Sequence, residues 1–214
     1  NIQKMNETLK RAISGAVYVV IMWLGASYSE LSFSLLFAIL GFVSIYEMGK
    51  LRKGKSKLLA FVYVLIPFIL VQFILTKEEP EHWDSNLILF MFILTWTFDT
   101  FAYLLGIKLG KHKIMPSVSP KKSWEGFVGG FIFTIIVSYL SQTYFKFETI
   151  RIPLIISIIL PITATLGDFI ESHYKREAGV KDSGNIIPGH GGILDRMDAF
   201  MITIPAIYIL TKVV

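Results

Sequence analysis

The chain has 214 residues, 53% of them hydrophobic and only 17% charged, with a formal net charge of +5 and no cysteine. Apolar stretches of roughly 17–25 residues recur along it, each long enough to cross a hydrocarbon core of about 30 Å as a helix, which excludes an ordinary soluble domain. The missing cysteines exclude disulfides and thiolate metal sites. The bases lie mainly in short loops, where membrane topology and anionic headgroups explain them better than a nucleic-acid partner does.

Seven apolar runs predict seven transmembrane helices, at about residues 12–29, 31–49, 58–76, 86–106, 126–145, 152–171 and 198–214. The fold class is therefore all-α, a polytopic integral membrane protein. No internal repeat, linker or low-complexity tract interrupts it, so residues 1–214 read as a single transmembrane domain. No cleavable signal is evident, and the residues ahead of Met5 read as foreign to the chain or as the tail of a missing segment. Seventeen of the 21 Lys and Arg fall in alternate loops, around Lys10, Lys53, Lys111 to Lys122 and Lys175 to Arg196. The opposite loops keep Lys77, Lys146, Arg151 and Lys212, and the longest of them carries Glu78, Glu79, Glu81 and Asp84. The positive-inside rule then predicts a cytoplasmic N-terminus, and it puts the Lys121 loop and the stretch from Gly167 to Asp198 on the cytoplasmic face.

The first two spans meet at Ser29-Glu30 with almost nothing between them, which predicts a tight helical hairpin. Glu47, near the cytoplasmic end of the second, reads as a snorkelling or interface-paired carboxylate rather than a functional one. The basic run over residues 50–57 reads as an orientation signal and headgroup contact. Pro67, Pro161 and Pro205 fall inside spans and are predicted to kink them. In the fourth span Asp99 lies well inside the apolar run. A carboxylate there must face a polar cavity or a partner, either as a structural acid or as part of the cytoplasm-facing site.

Between spans four and five, Lys121 and Lys122 are flanked by Ser119 and Ser123 and followed by Glu125. Paired lysines beside hydroxyls suit a nucleotide or lipid phosphate, although such loops collect lysine for topological reasons alone. Gly126, Gly129 and Gly130 fit close helix packing equally well.

The stretch from Gly167 to Asp198 joins two apolar runs, yet it is dense in acids, bases and glycine. If the sixth helix continues past its apolar run, Asp168, Ser172 and Lys175 share one face with Glu171 beside them. Asp168, Asp182, Asp195 and Asp198, with Glu171, form an all-oxygen ligand set suited to Mg²⁺, whereas His173 and His190 match no zinc spacing. Lys175, Arg176, Lys181 and Arg196 suit phosphate oxygens. Gly189, Gly191 and Gly192 would let backbone N–H groups approach an anion at a helix start. His190 reads either as a general acid or phosphate donor or as a loop-ordering residue, and Asp182 and Asp198 also read as helix caps or surface ion pairs. Together, acids for metal, bases for phosphate and a Gly-rich loop imply phosphoryl or nucleotidyl transfer.

The run Ser172-x-x-Lys175-Arg176-x₄-Lys181-Asp182-x-Gly184-x₂-Ile187-Pro188-x-His190-Gly191-Gly192-x-x-Asp195-Arg196-x-Asp198 resembles the signature of the phosphatidate cytidylyltransferases, or CDP-diacylglycerol synthases. The Ser119-to-Gly126 loop and the Asp99-x-x-Ala102-Tyr103 span resemble further family features, so the likeness covers residues 95–200, the expected active-site region. Tyr174 stands where the family pattern has an aliphatic residue. The chain is short for the family, and one or two spans are expected to be missing. The resemblance implies CTP + phosphatidic acid → CDP-diacylglycerol + pyrophosphate, carried out by a Mg²⁺-dependent homodimer, with a monovalent cation such as K⁺ an open second ion. Carried over by motif, Asp168 and Asp195 are the leading metal ligands, and Asp182 is a secondary ligand or a base near the nucleotide. Lys175, Arg176 and His190 complete the expected catalytic set. Asp99, Ser119, Lys121, Lys122, Ser123, Glu125, Ser172, Lys181, Gly191, Gly192 and Arg196 are expected to bind substrate. A lipid phosphate oxygen would attack the CTP α-phosphorus in line; being already ionised, it needs no serine nucleophile. The implied location is a bacterial-type cytoplasmic membrane, with lipid entering laterally. A polyprenol-kinase-like enzyme, an ion-coupled transporter and a purely structural membrane protein are the competing readings.

Overall fold

A computed structural model describes residues 2–74 and 84–213. Lys77, Glu78, Glu79 and Glu81 lie outside the described residues. Seven α-helices are found among the described residues: α1 Ile2–Ser27, α2 Glu30–Leu51, α3 Leu58–Ile74, α4 Asn86–Leu109, α5 Trp124–Ser141, α6 Arg151–Glu177 and α7 Leu194–Val213. Five of them, α1 (over Leu9–Ser27), α2, α4, α5 and α6, are long and apolar enough to cross a membrane, so the chain is an integral membrane protein. The apolar α3 is shorter, at 17 residues, and α7 opens on the charges Asp195, Arg196 and Asp198.

Local chemistry explains most boundaries. Ser29 caps α2 in a reciprocal box with Ser32, which ends α1 and starts α2 within two residues, the tight hairpin expected. The helices run on through Pro67, Pro161 and Pro205. The departure from all-α lies between α4 and α5, where β1 Lys113–Met115 and β2 Ser119–Ser123 pair as an antiparallel hairpin. Its base is closed by the Trp124 N–H donating to the His112 carbonyl at 2.9 Å. Glu125 then accepts from the N–H groups of Lys111 (3.1 Å) and His112 (3.2 Å) and pairs with the His112 ring at 2.6 Å. A three-residue strand followed by one containing Pro120 falls below any periodicity signal.

Fully buried Phe33, Phe37, Phe90, Phe92, Met22 and Met48 fill the core between α1, α2 and α4. On α5 the glycines serve packing: a Cβ on Gly126 would lie 2.5 Å from the Ala102 carbonyl oxygen, and one on Gly130 would lie 2.8 Å from that of Phe98. The ends of α2 and α6 are tied by Arg52 to Glu177 and by Lys55 to the Glu177 carbonyl at 2.9 Å, and Tyr174 lies under the Arg52 guanidinium. The basic loops therefore gather at one end of the bundle.

Because the α4 backbone at Ala102 and Gly106 blocks the added methyl, Gly126→Ala should force α4 and α5 apart and cost about 1–3 kcal/mol. Thermal unfolding in detergent checks this, and an unchanged midpoint would contradict the close crossing.

Candidate active site

The site begins where α6 crosses α7. A Cβ on Gly167 would collide with the Asp198 carbonyl, so the two helices meet backbone to backbone at the level of their acids. Tyr63 of α3 steadies the crossing by donating to the Gly167 carbonyl at 2.9 Å. As a result Asp168, Glu171 and Asp198 bring carboxylate oxygens within 4.8 Å of one another. The sixth helix does continue as expected, and Ser172 donates to Asp168 at 3.0 Å. Lys175 turns instead to Glu171 and, at 2.8 Å, to Asp195 of α7. Lys122 reaches across from β2 to pair with Asp168. Strand alternation separates the two lysines: Lys122 meets the acids while its neighbour Lys121 is exposed.

Glu171 tests whether this trio suits a metal. Its carboxylate is fully buried, and neither oxygen accepts a hydrogen bond of normal geometry, leaving the Lys175 ion pair as its contact among the described residues. Buried acids are ordinarily satisfied. A hard divalent cation held by oxygen ligands fits this donor set.

Two cavities flank the trio. The larger, about 590 Å³, lies between α4, α5 and the hairpin and is lined by Asp99, Lys113, Ser119, Lys121, Lys122 and Ser123 among others. The smaller, about 270 Å³, is lined by Asp99, His190, Asp195, Arg196 and Asp198 on its polar side. Asp99 belongs to both, which answers the question of what an acid within α4 faces. Ser123 also caps α5, accepting from the Gly126 N–H at 3.3 Å, and Glu125 is occupied in bracing the hairpin.

The Gly-rich loop is arranged differently from the expectation that it cradles an external anion. The N–H of Gly192 donates to Asp195 at 2.7 Å, and those of Ile193 and Leu194 donate to Glu47 at 3.2 and 2.9 Å. The anions at the start of α7 are thus the protein's own. Asp195 also accepts from the N–H (2.8 Å) and hydroxyl (2.9 Å) of Ser183. Burial opposes its charge, but the Lys175 ammonium and these N–H groups more than offset that and hold its carboxyl below the usual range. The folded value being the lower one, the stability Asp195 contributes is complete above the ordinary carboxylate value and is lost as pH falls. Gly191 has φ +84°, and a Cβ there would lie 2.5 Å from an Asp195 oxygen, so glycine is required twice over.

His190 is held from α1. The Ser14 hydroxyl lies 2.8 Å from the Pro188 carbonyl, 3.0 Å from the Arg11 carbonyl and 2.9 Å from His190 Nδ1, so it holds the ring and the loop from one point. Burial first, and then Arg196, lower the His190 pKa. Arg196 donates to the His190 carbonyl at 2.9 Å. Arg176 is spent on the Val118 and Val180 carbonyls at 3.3 and 3.0 Å, while Lys181 and Asp182 are exposed. The geometry therefore groups Asp168 with Glu171 and Asp198, and it ties Asp195 to Lys175 and the loop.

Of the two readings of Glu47, the structure excludes snorkelling: the residue is 2% exposed, paired inside the protein, and also accepts from the Ser183 hydroxyl at 2.9 Å. The sequence held one signal: the segment Gly191-Gly192-Ile193 ahead of α7 offers no Ser, Thr, Asp or Asn as a cap, so an acceptor had to come from elsewhere.

A model described as the cytidylyltransferase family matches residues 55–214. The chain belongs to this family. Phosphatidate cytidylyltransferases of Staphylococcus saprophyticus, Staphylococcus haemolyticus and Staphylococcus aureus are 46%, 45% and 44% identical to it over 154 residues. That match covers 72% of this chain and 57% of each relative's length.

Removing the cation shared by two acids should cost far more than removing a half-exposed one. Lys175→Met is expected to destabilise the fold by about 3–5 kcal/mol, and Lys122→Ala by no more than about 1 kcal/mol. Unfolding midpoints of the two variants in one detergent check the order, which equal losses would contradict.

Proposed function

We propose that the protein is a membrane nucleotidyltransferase that converts CTP and phosphatidic acid to CDP-diacylglycerol and pyrophosphate. The observation that carries this reading is the meeting of the carboxylate trio with Lys122 and Lys175 at the junction of two cavities, one of them lined with cations. The name phosphatidate cytidylyltransferase borne by the staphylococcal relatives supports the substrate pair.

In this reading the triphosphate lies along the hairpin, where Lys113, Lys121 and Lys122 neutralise it and Ser119 offers a hydroxyl. The lipid phosphate lies in the smaller cavity beside Arg196 and His190. A lipid phosphate oxygen forms a bond to the α-phosphorus as the bond from that phosphorus to the β-phosphate oxygen breaks, and pyrophosphate leaves. His190 suits donation or acceptance at a phosphate oxygen, and Asp99 bounds both substrate spaces. Mg²⁺ would be held by Asp168, Glu171 and Asp198, with Asp195 next to them across Lys175; once bound, it neutralises phosphate oxygens. Lys122 and Lys175 balance the same acids and fix their orientation.

We place the basic end of the bundle in the cytoplasm, where nucleotide is available, with α3 and α7 completing seven spans of a bacterial inner-membrane protein. The homodimer and a monovalent second ion such as K⁺ rest on the family resemblance.

Detergent-purified protein supplied with CTP labelled at the α-phosphorus, phosphatidic acid and Mg²⁺ should yield a chloroform-soluble labelled liponucleotide and pyrophosphate, and nothing with EDTA. Label remaining in water-soluble nucleotide would contradict the reading, and phosphoryl transfer from γ-labelled CTP to a polyprenol would favour a kinase. Asp168→Asn should lower turnover about a hundredfold or more, in line with the several kcal/mol expected of lost charge stabilisation. The double variant Lys121→Ala, Lys122→Ala should raise KM for CTP.

A further inference from the structure

We infer that Glu47 of α2, which lies ahead of the residues matched by the family model, is a positioning residue for the transfer reaction: it anchors both ends of the 183–194 loop and thereby aims Arg196 and Asp198. The inference rests on the proposed reaction only for its kinetic consequence.

The geometry is that of one carboxylate clamping two separated segments. Oε1 accepts from the Ile193 N–H, while Oε2 accepts from the Leu194 N–H and the Ser183 hydroxyl. These donors lie at opposite ends of the loop, so Glu47 closes it as a staple would. The chain makes room for the clamp, because a Cβ on Gly184 or Gly192 would collide with the carboxylate. Burial keeps water from substituting, so each of the three bonds acts at low dielectric.

The clamp connects directly to the site. Ser183 Oγ lies 2.9 Å from both Glu47 Oε2 and Asp195 Oδ2, but it has a single proton to share. Asp195 in turn holds Lys175, which pairs with Glu171 of the trio. Arg196 follows the anchored N–H groups within the first turn of α7, and Asp198 lies just beyond that turn. A shift of the anchor therefore displaces the arginine on the lipid-phosphate side and one acid of the trio, and a misplacement of about 1 Å costs on the order of a hundredfold in rate.

Glutamine has the same shape and fails for a specific reason. Both Glu47 oxygens accept backbone N–H groups, so either orientation of the amide sets an NH₂ against a donor. Aspartate keeps two acceptors but is one methylene shorter.

The test compares wild type, Glu47→Gln, Glu47→Asp and Ser183→Ala, using kcat, KM for each substrate and amide hydrogen exchange across residues 183–197. In Glu47→Gln, kcat should fall about 10- to 100-fold while KM for CTP, whose proposed cavity lies on α4 and α5, changes less than about twofold. Exchange at Ile193 and Leu194 should quicken, Glu47→Asp should recover part of the rate, and Ser183→Ala should show a smaller loss of kcat. Wild-type turnover and exchange in Glu47→Gln would overturn the inference, as would a loss explained wholly by a smaller folded fraction. If Glu47→Gln does not fold, wild-type turnover in both Glu47→Asp and Ser183→Ala overturns it. If wild type itself forms no liponucleotide, the proposed reaction fails, and exchange alone then decides: acceleration confined to 183–197 supports the clamp and unchanged exchange removes it.

Discussion

Three carboxylates within 4.8 Å are costly unless cations stand beside them, and much of the bundle's polar end is the arrangement that supplies those cations. Gly167 creates the crowding by letting α6 and α7 touch through their backbones. Lys175 answers from within α6, and Lys122 answers from a hairpin that is otherwise outside the helical fold. The hairpin thus delivers Lys122 to the acids while Lys121 stays exposed at the cavity. Ser123 and Glu125 are used to build that hairpin and to start α5, which fixes the reach of Lys122.

The polar end is assembled from distant parts of the chain. Glu47 of α2 and Ser14 of α1 hold the loop, Tyr63 of α3 holds the helix crossing, and Asp99 of α4 separates the two cavities. Such convergence favours a rigid site, because Glu47, Ser14, Tyr63 and Lys122 each hold a partner on another element. It also explains why the N-terminal helices, which carry no recognisable motif, are still part of the machinery.

Much of this was legible in the chain. Hydropathy located the seven helices found among the described residues, five of them long and apolar enough to span a membrane, and the Ser29 turn and the continuation of α6 through Lys175 followed from capping and spacing. The density of charge between Gly167 and Asp198 marked the site. Partner choice was not legible, because it depends on the crossing of α6 and α7 and on a hairpin whose strands are too short to leave a period-2 trace. Hence Asp195, expected as a leading ligand, is bound to Lys175 and the loop, while Glu171, expected only near the ligands, sits within the trio with Lys175 as its ion-pair partner. Glycines 191 and 192 suggested an external anion, whereas the N–H groups around them serve Asp195 and Glu47. A lone acid in an apolar helix gives no hint of a partner about 140 residues away.

The most direct measurement of the central claim is a crystal structure of the protein with Mn²⁺ in place of Mg²⁺ and a non-hydrolysable CTP analogue, with the ion located by its anomalous signal. The account expects the ion on Asp168, Glu171 and Asp198, with the triphosphate running along the Lys121-Lys122 strand. An ion bound at Asp182, or a triphosphate seated away from that hairpin, would contradict it.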